Sequence, residues 1–323
     1  DKKLVNVDIH QTEHILYSEA VLLADNDRVK VAIQDQHTNI ILIEKNGEVV
    51  FKKEQDECAD CDPYDIFKQV SAREIFEFSC EVELDKIRFI GQAADLNRTL
   101  SDEGLRENYG LHIGRTLRKQ VGSGLMSDDL LSKIMIETTA ASDARMGGAT
   151  LPAMSNSGSG NQGIAATMPV VVVADYLNVS EEKRLRALFL SHLMAIYIHS
   201  KLPKLSALCA VTTASMGSCA GIAYLLTGKF ETVSMGICSM IGDISGIICD
   251  GASNSCAMKV STSVASGYKS VLMAMDETHV TGNEGIVEHD LDRTIDNLCS
   301  IASKSMHHID RQVIEIMVSK PCP

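Results

Sequence analysis

Between Lys204 and Lys229 the chain carries no charged residue, and this run is long enough to cross a lipid bilayer as a helix. The run is rich in serine, threonine, glycine and alanine and has few large apolar side chains. Charged residues flank similar apolar runs nearby. We therefore expect a helix buried in the core of a soluble protein, and the alternative is a transmembrane helix.

The fold expected around this helix belongs to the α+β class. Residues 1–53 alternate apolar and polar positions in short runs, and the pair Asn46-Gly47 is typical of a tight hairpin turn. An acidic linker with a proline follows, and after it the spacing of apolar residues becomes helical. The sequence predicts a small antiparallel β unit at 1–62 and a large, mainly helical domain at 63–323.

Some boundaries inside the helical domain can also be predicted. Ser180 is followed by two glutamates, which is typical of a capped helix start, and the apolar spacing continues to about Ser200. The segment 290–318 has the pattern of one or two closing helices. Pro169 is a candidate for the first turn of a helix, where proline is tolerated.

The charge balance excludes one class of partner. The chain has 43 acidic and 30 basic residues, a formal net charge of -13, whereas a nucleic-acid binder needs a basic face. The first residues show no basic segment followed by an apolar one, and we interpret the ten cysteines as reduced thiols. We expect a cytoplasmic protein with neither a nucleic-acid nor a membrane partner.

The segment 155–163 is the first candidate site. It combines three glycines with serine, asparagine and glutamine side chains, directly before an apolar run. Glycines let a backbone approach a ligand closely, and amides and hydroxyls at a helix start favour an anion such as a carboxylate or a phosphate. No Gly-Lys-Ser/Thr follows, so the segment is not a P-loop. A flexible linker is the alternative. The candidate substrate-binding residues are Ser157, Gly158, Ser159, Gly160, Asn161 and Gln162.

Four cysteines in the same half of the chain form the second candidate site: Cys209, Cys219, Cys249 and Cys256. Thiolates are the usual ligands of iron–sulfur clusters, and the glycine and asparagine between Cys249 and Cys256 are typical of a cluster-binding loop. The alternative is that each cysteine is a small buried apolar residue.

Cys58 and Cys61 form a Cys-x-x-Cys pair, which can bind zinc or act in redox chemistry. No second pair follows at zinc-finger spacing, and the surrounding residues are acidic rather than the positive neighbours that activate a thiol. We therefore interpret both as linker cysteines.

Two further residues are candidates for catalysis. Lys259 follows Cys256 closely and could orient a carboxylate or move a proton, and the alternative for it is a surface salt bridge. His37 lies in a polar stretch, where the alternative is a solvated strand residue. His192 falls on the apolar face of a predicted helix, and we expect it to be a hydrogen-bonded core residue.

Several strings of the sequence together resemble a known family. They lie at 142–148, 154–163, 205–209, 248–252 and 255–261, and they read SDARMGG, MSNSGSGNQG, LSALC, ICDGA and SCAMKVS. They resemble the iron–sulfur L-cysteine desulfidase family, which is related to the α-chain of iron–sulfur L-serine dehydratase. The glycine-rich string and the Cys-Asp-Gly-Ala string are the specific ones.

The resemblance implies a 4Fe–4S cluster held by Cys209, Cys249 and Cys256, with Cys219 in reserve, at a site within 147–262. One iron without a protein thiolate would bind the substrate as a Lewis acid. The implied reaction splits L-cysteine into pyruvate, ammonia and sulfide, and pyridoxal phosphate is not needed. Members of the family usually carry a Gly-Cys-Thr-Glu-Pro string, which this sequence lacks.

The residues leave alternatives open for the function. L-Serine is the close alternative substrate, because only the β-leaving group differs. A non-catalytic amino-acid-binding protein and an iron-sensing protein are alternatives from other classes, and cluster loading without product formation would favour them. The partners expected are a small amino-acid substrate and, if the chain is a homo-oligomer, further copies of itself.

Overall fold

A computed structural model of the chain describes residues 4–6, 8, 12–14, 16–35, 39–53, 64–203 and 205–320. Contacts between Cα atoms divide the chain into two compact units, Asp1–Asp65 and Ile66–Pro323. The first unit holds the four strands and the second holds the α-helices. The predicted α+β class is confirmed.

The first unit is an antiparallel sheet whose strands are β1 Tyr17–Ala24, β2 Asp27–Gln34, β3 Ile40–Lys45 and β4 Glu48–Lys52. They pair in the order β1-β2-β3-β4. Asn46 and Gly47 form the predicted turn between β3 and β4, with φ angles of 53° and 86°, as a type I′ turn requires. Asn46 Oδ1 also accepts a hydrogen bond from Arg28 N–H (2.7 Å), which ties this turn to β2.

The second unit is built from helices joined by loops of varied length. They are α1 Ala72–Glu81, α2 Leu84–Ile87, α3 Gly91–Arg106, α4 Ile113–Gly122, α5 Leu130–Met146, α6 Gly160–Leu177, α7 Glu181–Ser200, α8 Ala210–Thr227, α9 Phe230–Ile244, α10 Cys256–Met275, α11 Leu291–Lys304 and α12 His307–Ser319. The segment 290–318, expected to form one or two closing helices, is confirmed as helical and forms two, α11 and α12.

Side-chain caps fix several of these helix starts. Ser180 Oγ accepts a hydrogen bond from Lys183 N–H (3.3 Å), and α7 ends at Ser200, so this helix is confirmed as predicted. Asp290 caps α11 in the same way, with a distance of 2.9 Å from its Oδ1 to Arg293 N. Local sequence is sufficient here because each cap acts within one turn.

The prediction for Pro169 is wrong. Helix α6 begins at Gly160, and Pro169 lies in its interior. Proline there removes one backbone hydrogen bond, but the surrounding residues of α6 are fully buried, and packing holds the helix through the interruption. Ser191 Oγ donates to Ala166 O (2.6 Å) beside this point.

The uncharged run forms α8, which lies at the centre of the second unit. It packs against α6, α7, α9 and α10, and its small residues let neighbours approach: a Cβ at Gly221 would lie 2.8 Å from Ala187 O. Among the described helices α8 alone is long and apolar enough to cross a membrane, and 78% of its apolar window is buried in the structure. This burial agrees with the expected core helix.

Candidate active site

Two backbone hydrogen bonds bring Cys209 and Cys249 onto neighbouring segments. Cys209 N–H donates to Ile247 O (2.9 Å), and Cys249 N–H donates to Ala207 O (2.7 Å). They form an isolated antiparallel bridge between the residues before α8 and the loop before α10. The two cysteines are forty positions apart in sequence, so this contact is tertiary and not local.

Cys256 is the first residue of α10. Its Sγ accepts a hydrogen bond from Ser253 N–H (3.5 Å) and lies 3.5 Å from Gly251 O. Gly251 has a φ of 94°, so glycine allows the loop that follows Cys249 to turn here. Cys209 is the N-cap of α8. Two of the three thiols therefore lie at helix N-termini.

The three thiols affect one another electrostatically. Burial, together with Cys249 and Cys256, raises the pKa of Cys209 to about 11, although Lys259 opposes the rise. Three thiolates at one place repel one another, and they need a compensating cationic centre to stay ionised together. The chemistry of this donor set therefore fits an iron–sulfur centre, whose irons prefer thiolate ligands.

Lys259 lies one turn into α10, and its side chain is 19% exposed. Its ammonium pairs with the carboxylate of Asp250, in the loop between the second and third cysteine. Burial is the largest single effect and acts against the charge, but the hydrogen bond to Asp250 and the negative charges of Asp250, Cys209 and Cys256 together outweigh it, and the pKa of Lys259 is raised above its ordinary value. The site thus holds a fixed positive charge near Cys209 and Cys256.

The glycine-rich segment forms a tight hairpin that leads directly into α6. Asn156 and Ser159 exchange two backbone hydrogen bonds of 3.1 and 3.0 Å. Ser157 and Gly158 lie at the tip with φ angles of 47° and 87°. Gly160 then begins the helix, so the first amides of α6 follow the hairpin at once. This ordered turn rules out the flexible linker as an interpretation of the segment.

Asn161 and Gln162 lie in the first turn of α6, and both are buried. Asn161 Oδ1 accepts a hydrogen bond from Ser142 Oγ (3.1 Å). Gln162 Oε1 is buried and has no hydrogen-bond partner among the described residues. A buried polar atom without a partner costs free energy, and at a site it is commonly satisfied by a ligand.

Arg145, at the end of α5, connects the two candidate sites. A Cβ at Gly160 would lie 2.8 Å from Arg145 Cδ and 3.0 Å from Cζ, so the absence of a side chain there makes room for the guanidinium. Burial lowers the pKa of Arg145, and the charge of Cys256 partly offsets this effect. In the described part of the chain, no carboxylate forms an ion pair with Arg145. A half-buried, unneutralised cation thus lies beside the start of α6 and interacts electrostatically with Cys256.

His192, in α7, and Asn97, in α3, hold the glycine-rich hairpin through hydrogen bonds. Burial lowers the pKa of His192 to about 4, so the ring is neutral. Its Nδ1 accepts from Asn156 Nδ2 (3.2 Å), and its Nε2 lies 2.9 Å from Thr167 Oγ1. His192 is therefore the hydrogen-bonded core residue that we expected. Asn97, in α3, bonds Met154 N–H and the carbonyl of Gly163, on the two sides of the hairpin.

Comparison with known proteins decides the family. The serine dehydratase alpha chain family model matches residues 29–315, which is most of the chain. The chain belongs to the serine dehydratase alpha chain family. The predicted resemblance to this group is confirmed, and all three thiols, Arg145 and the glycine-rich hairpin lie inside the matched residues.

Relatives of this serine dehydratase alpha chain family member carry names that give no activity. A "UPF0597 protein" of Actinobacillus pleuropneumoniae is 71% identical over 320 residues, which cover 98% of this chain and 73% of the relative. A "UPF0597 protein" of Dichelobacter nodosus is 62% identical, with coverages of 98% and 73%. "UPF0597 protein YhaM" of Escherichia coli is 58% identical over 310 residues, which cover 95% of this chain and 71% of the relative.

Some predicted residues lie apart from this site or outside the described residues. Cys219 is fully buried in α8, where burial raises its pKa and its titratable neighbour is Cys238. It has the environment of a small apolar core residue. His37, Cys58 and Cys61 fall outside the described residues, and their roles stay predictions.

The three thiols do not form a binding site for a single metal ion. Among the described residues, no group of three histidine, cysteine or acidic side chains is close enough for one. A cluster differs from a single ion because each thiolate binds a different iron, so its ligands surround a larger volume. The assignment of Cys209, Cys249 and Cys256 as cluster ligands stays a prediction.

Reasoning from sequence missed Arg145 as a functional residue. Arg145 belongs to the string SDARMGG at 142–148, and it is the only basic residue in the long segment between Lys133 and Lys183. That isolation was the signal that could have identified it. Asn97 gave no such signal, because nothing in its own helix indicates that it faces the hairpin.

Proposed function

We propose that the chain is an iron–sulfur-dependent amino-acid lyase that converts L-cysteine into pyruvate, ammonia and sulfide. The observation that carries this proposal is the placement of the unneutralised Arg145 beside the start of α6 and near Cys256, which is one of three neighbouring thiols. An amino-acid substrate needs one group that binds its carboxylate and another that acts on the substituent of its β-carbon. Arg145 could bind the carboxylate, and the site of the three thiols could act on the β-substituent.

Cys209, Cys249 and Cys256 would hold a 4Fe–4S cluster. When bound, the cluster would supply an open iron that acts as a Lewis acid toward the substrate. The chain contributes the ligand loop, shaped by Gly251, and the fixed positive charge of Lys259. That charge lies near two of the thiols and would stabilise negative charge that develops as the β-thiolate leaves.

The substrate carboxylate would bind between Arg145 and the first turn of α6. Arginine binds carboxylates in two-pronged geometry, and the free amides at a helix start add donors. Ser157 and Ser159 lie in the same hairpin, and the Ser157 hydroxyl donates to Asn156 Oδ1 (3.0 Å). Gln162 Oε1, buried and unpartnered, would accept a hydrogen bond from the substrate ammonium.

The elimination needs no cofactor other than the cluster, because it involves no net oxidation or reduction. A base takes the α-proton, the Cα–Cβ double bond forms, and the Cβ–S bond breaks to release hydrosulfide. The aminoacrylate that results tautomerises to an imine, and water hydrolyses it to pyruvate and ammonia. L-Serine would follow the same route with hydroxide as the leaving group, and the name of the matched family favours it as the second candidate substrate.

The test is anaerobic reconstitution with iron and sulfide, followed by assays of pyruvate and sulfide release from L-cysteine and of pyruvate from L-serine. We expect turnover of L-cysteine with the higher kcat/KM. Turnover of L-serine alone would assign the second candidate, and a loaded cluster with no product from either substrate would contradict the proposal.

Arg145→Ala tests the carboxylate site separately. We expect the KM for the amino acid to rise roughly tenfold to hundredfold, because a charge-assisted hydrogen bond contributes about 1.5–3 kcal/mol. Arg88→Ala is the matched control, since Arg88 is an exposed arginine paired with Asp85. Equal kinetics for Arg145→Ala and the control would contradict the assignment.

A further inference from the structure

A basic cavity lies on α4 and the turn before it. Its volume is about 410 Å³, and it is lined by Asn108, His112, Arg115, Thr116, Arg118 and Lys119. None of these six residues is acidic. Three are permanent cations, one is a histidine, and the other two offer an amide and a hydroxyl.

The charge of this cavity is not neutralised within the described structure. Arg118 Nη2 donates to the carbonyl of Leu105 (2.7 Å), and Arg115 donates to the side-chain oxygen of Asn108. Both bonds are to neutral oxygens. The ion pairs of the described residues include neither arginine, nor Lys119. A local excess of positive charge is unusual for a chain whose net charge is -13.

We propose that this cavity binds the phosphate group of a small molecule. Guanidinium groups bind phosphate oxygens through paired N–H donors, and a lysine adds a mobile charge. Thr116 and Asn108 offer hydrogen bonds to the remaining oxygens. A carboxylate has two oxygens and one charge, so it would leave most of these donors without a partner.

The residues that line the cavity differ from those of the site of the three thiols, and the turn before α4 borders that site: a Cβ at Gly110 would lie 3.2 Å from Asn254 Oδ1, in the loop between Cys249 and Cys256. Gly114 N–H, in the first turn of α4, donates to Asp143 Oδ2 (2.8 Å), and a Cβ at Gly114 would lie 2.7 Å from Ala140 N. Helix α4 is therefore packed tightly on α5, whose end carries Arg145. The lining side chains include none of the residues assigned to the amino acid or the cluster, so the inference does not rest on the proposed function.

The basic surface around this cavity is too small to bind a nucleic acid. The cations lie on one ten-residue helix, and their number suits one or two phosphates rather than a track along a polymer. Free phosphate, pyrophosphate and the polyphosphate of a nucleotide share the required chemistry. They differ in charge and size, so their relative affinities separate these sources.

The test is isothermal titration calorimetry of the purified chain at low ionic strength with inorganic phosphate, pyrophosphate and ATP. We expect one site for at least one of the three anions. Arg115→Gln and Lys119→Gln should each weaken binding roughly tenfold to hundredfold, which is the effect of losing one charge-assisted hydrogen bond. Lys119 is exposed, so its variant keeps the test valid if Arg115→Gln does not fold.

Arg88→Gln is the control for a general loss of charge, and its affinity should equal that of the unaltered chain. Tightest binding of inorganic phosphate would identify a single phosphate as the ligand, and tightest binding of ATP would identify a nucleotide. The proposal is overturned if none of the three anions binds, or if Arg88→Gln weakens binding as much as the cavity variants do.

Discussion

Asn97 should be one of the most sensitive positions outside the candidate ligands. Its side chain is fully buried in α3 and joins the two sides of the glycine-rich hairpin. Asn97 Oδ1 accepts from Met154 N–H (3.0 Å), and Asn97 Nδ2 donates to Gly163 O (3.2 Å). Asn97→Ala removes both bonds at once.

The loss in the free energy of unfolding depends on the two groups that Asn97→Ala leaves without this side chain, Gly163 O and Met154 N–H. Gly163 O keeps a second hydrogen bond, from Thr167 Oγ1 at 2.6 Å, so its loss is partial. Met154 N–H has no second partner in the described structure. One lost hydrogen bond of net value about 1 kcal/mol and one donor left unpaired together predict a loss of about 2–3 kcal/mol in the free energy of unfolding.

The assay is urea unfolding followed by far-ultraviolet circular dichroism at neutral pH. Asn283→Ala is the control, because Asn283 is exposed and the only hydrogen bond described for it is made by its backbone. We expect less than about 0.5 kcal/mol for the control. A change in Asn97→Ala no larger than in the control would refute the idea that this side chain holds the hairpin.

Two further predictions concern the same region. Gly163→Ala should destabilise the chain by about 2–3 kcal/mol in thermal unfolding, because its Cβ would overlap the backbone of Met154. Gly122→Ala is the control: Gly122 has open space around it, so this variant should be neutral or stabilising by up to about 1 kcal/mol. Equal shifts in the two variants would contradict the prediction. Burial raises the pKa of Asp143 from 3.8 to about 6, so the stability that this carboxyl contributes is fully present below pH 3.8 and is lost as the pH rises through 6. Asp143→Asn should remove about 3 kcal/mol of this pH dependence, measured by urea unfolding from pH 3 to 7, and an unchanged slope would contradict the assignment.

Local features of the fold could be predicted from sequence. Asn46 and Gly47 determine their turn because both residues tolerate positive φ, and Ser180 determines a helix start because its cap acts within one turn. Pro169 shows the limit of such rules. Its preference for a first turn is weaker than the burial of α6 on all sides, which extends the helix back to Gly160.

The candidate site depended on tertiary contacts that no local pattern contains. Cys209 and Cys249 meet through a bridge between segments forty positions apart, so only a family resemblance could pair them in advance. Arg145 faces Gly160 because a glycine there makes room for it. The space beside Gly160 can be recognised only once the positions of α5 and α6 relative to each other are known.

The central claim is that Cys209, Cys249 and Cys256 together hold one iron–sulfur cluster. The most direct measurement is the iron and acid-labile sulfide bound per chain after anaerobic reconstitution, in the unaltered protein, in Cys249→Ala and in Cys219→Ala. We expect about four irons in the unaltered protein and in Cys219→Ala, whose thiol lies apart in the core, and loss of most of the iron in Cys249→Ala. Normal iron content in Cys249→Ala, or iron loss in Cys219→Ala alone, would contradict it.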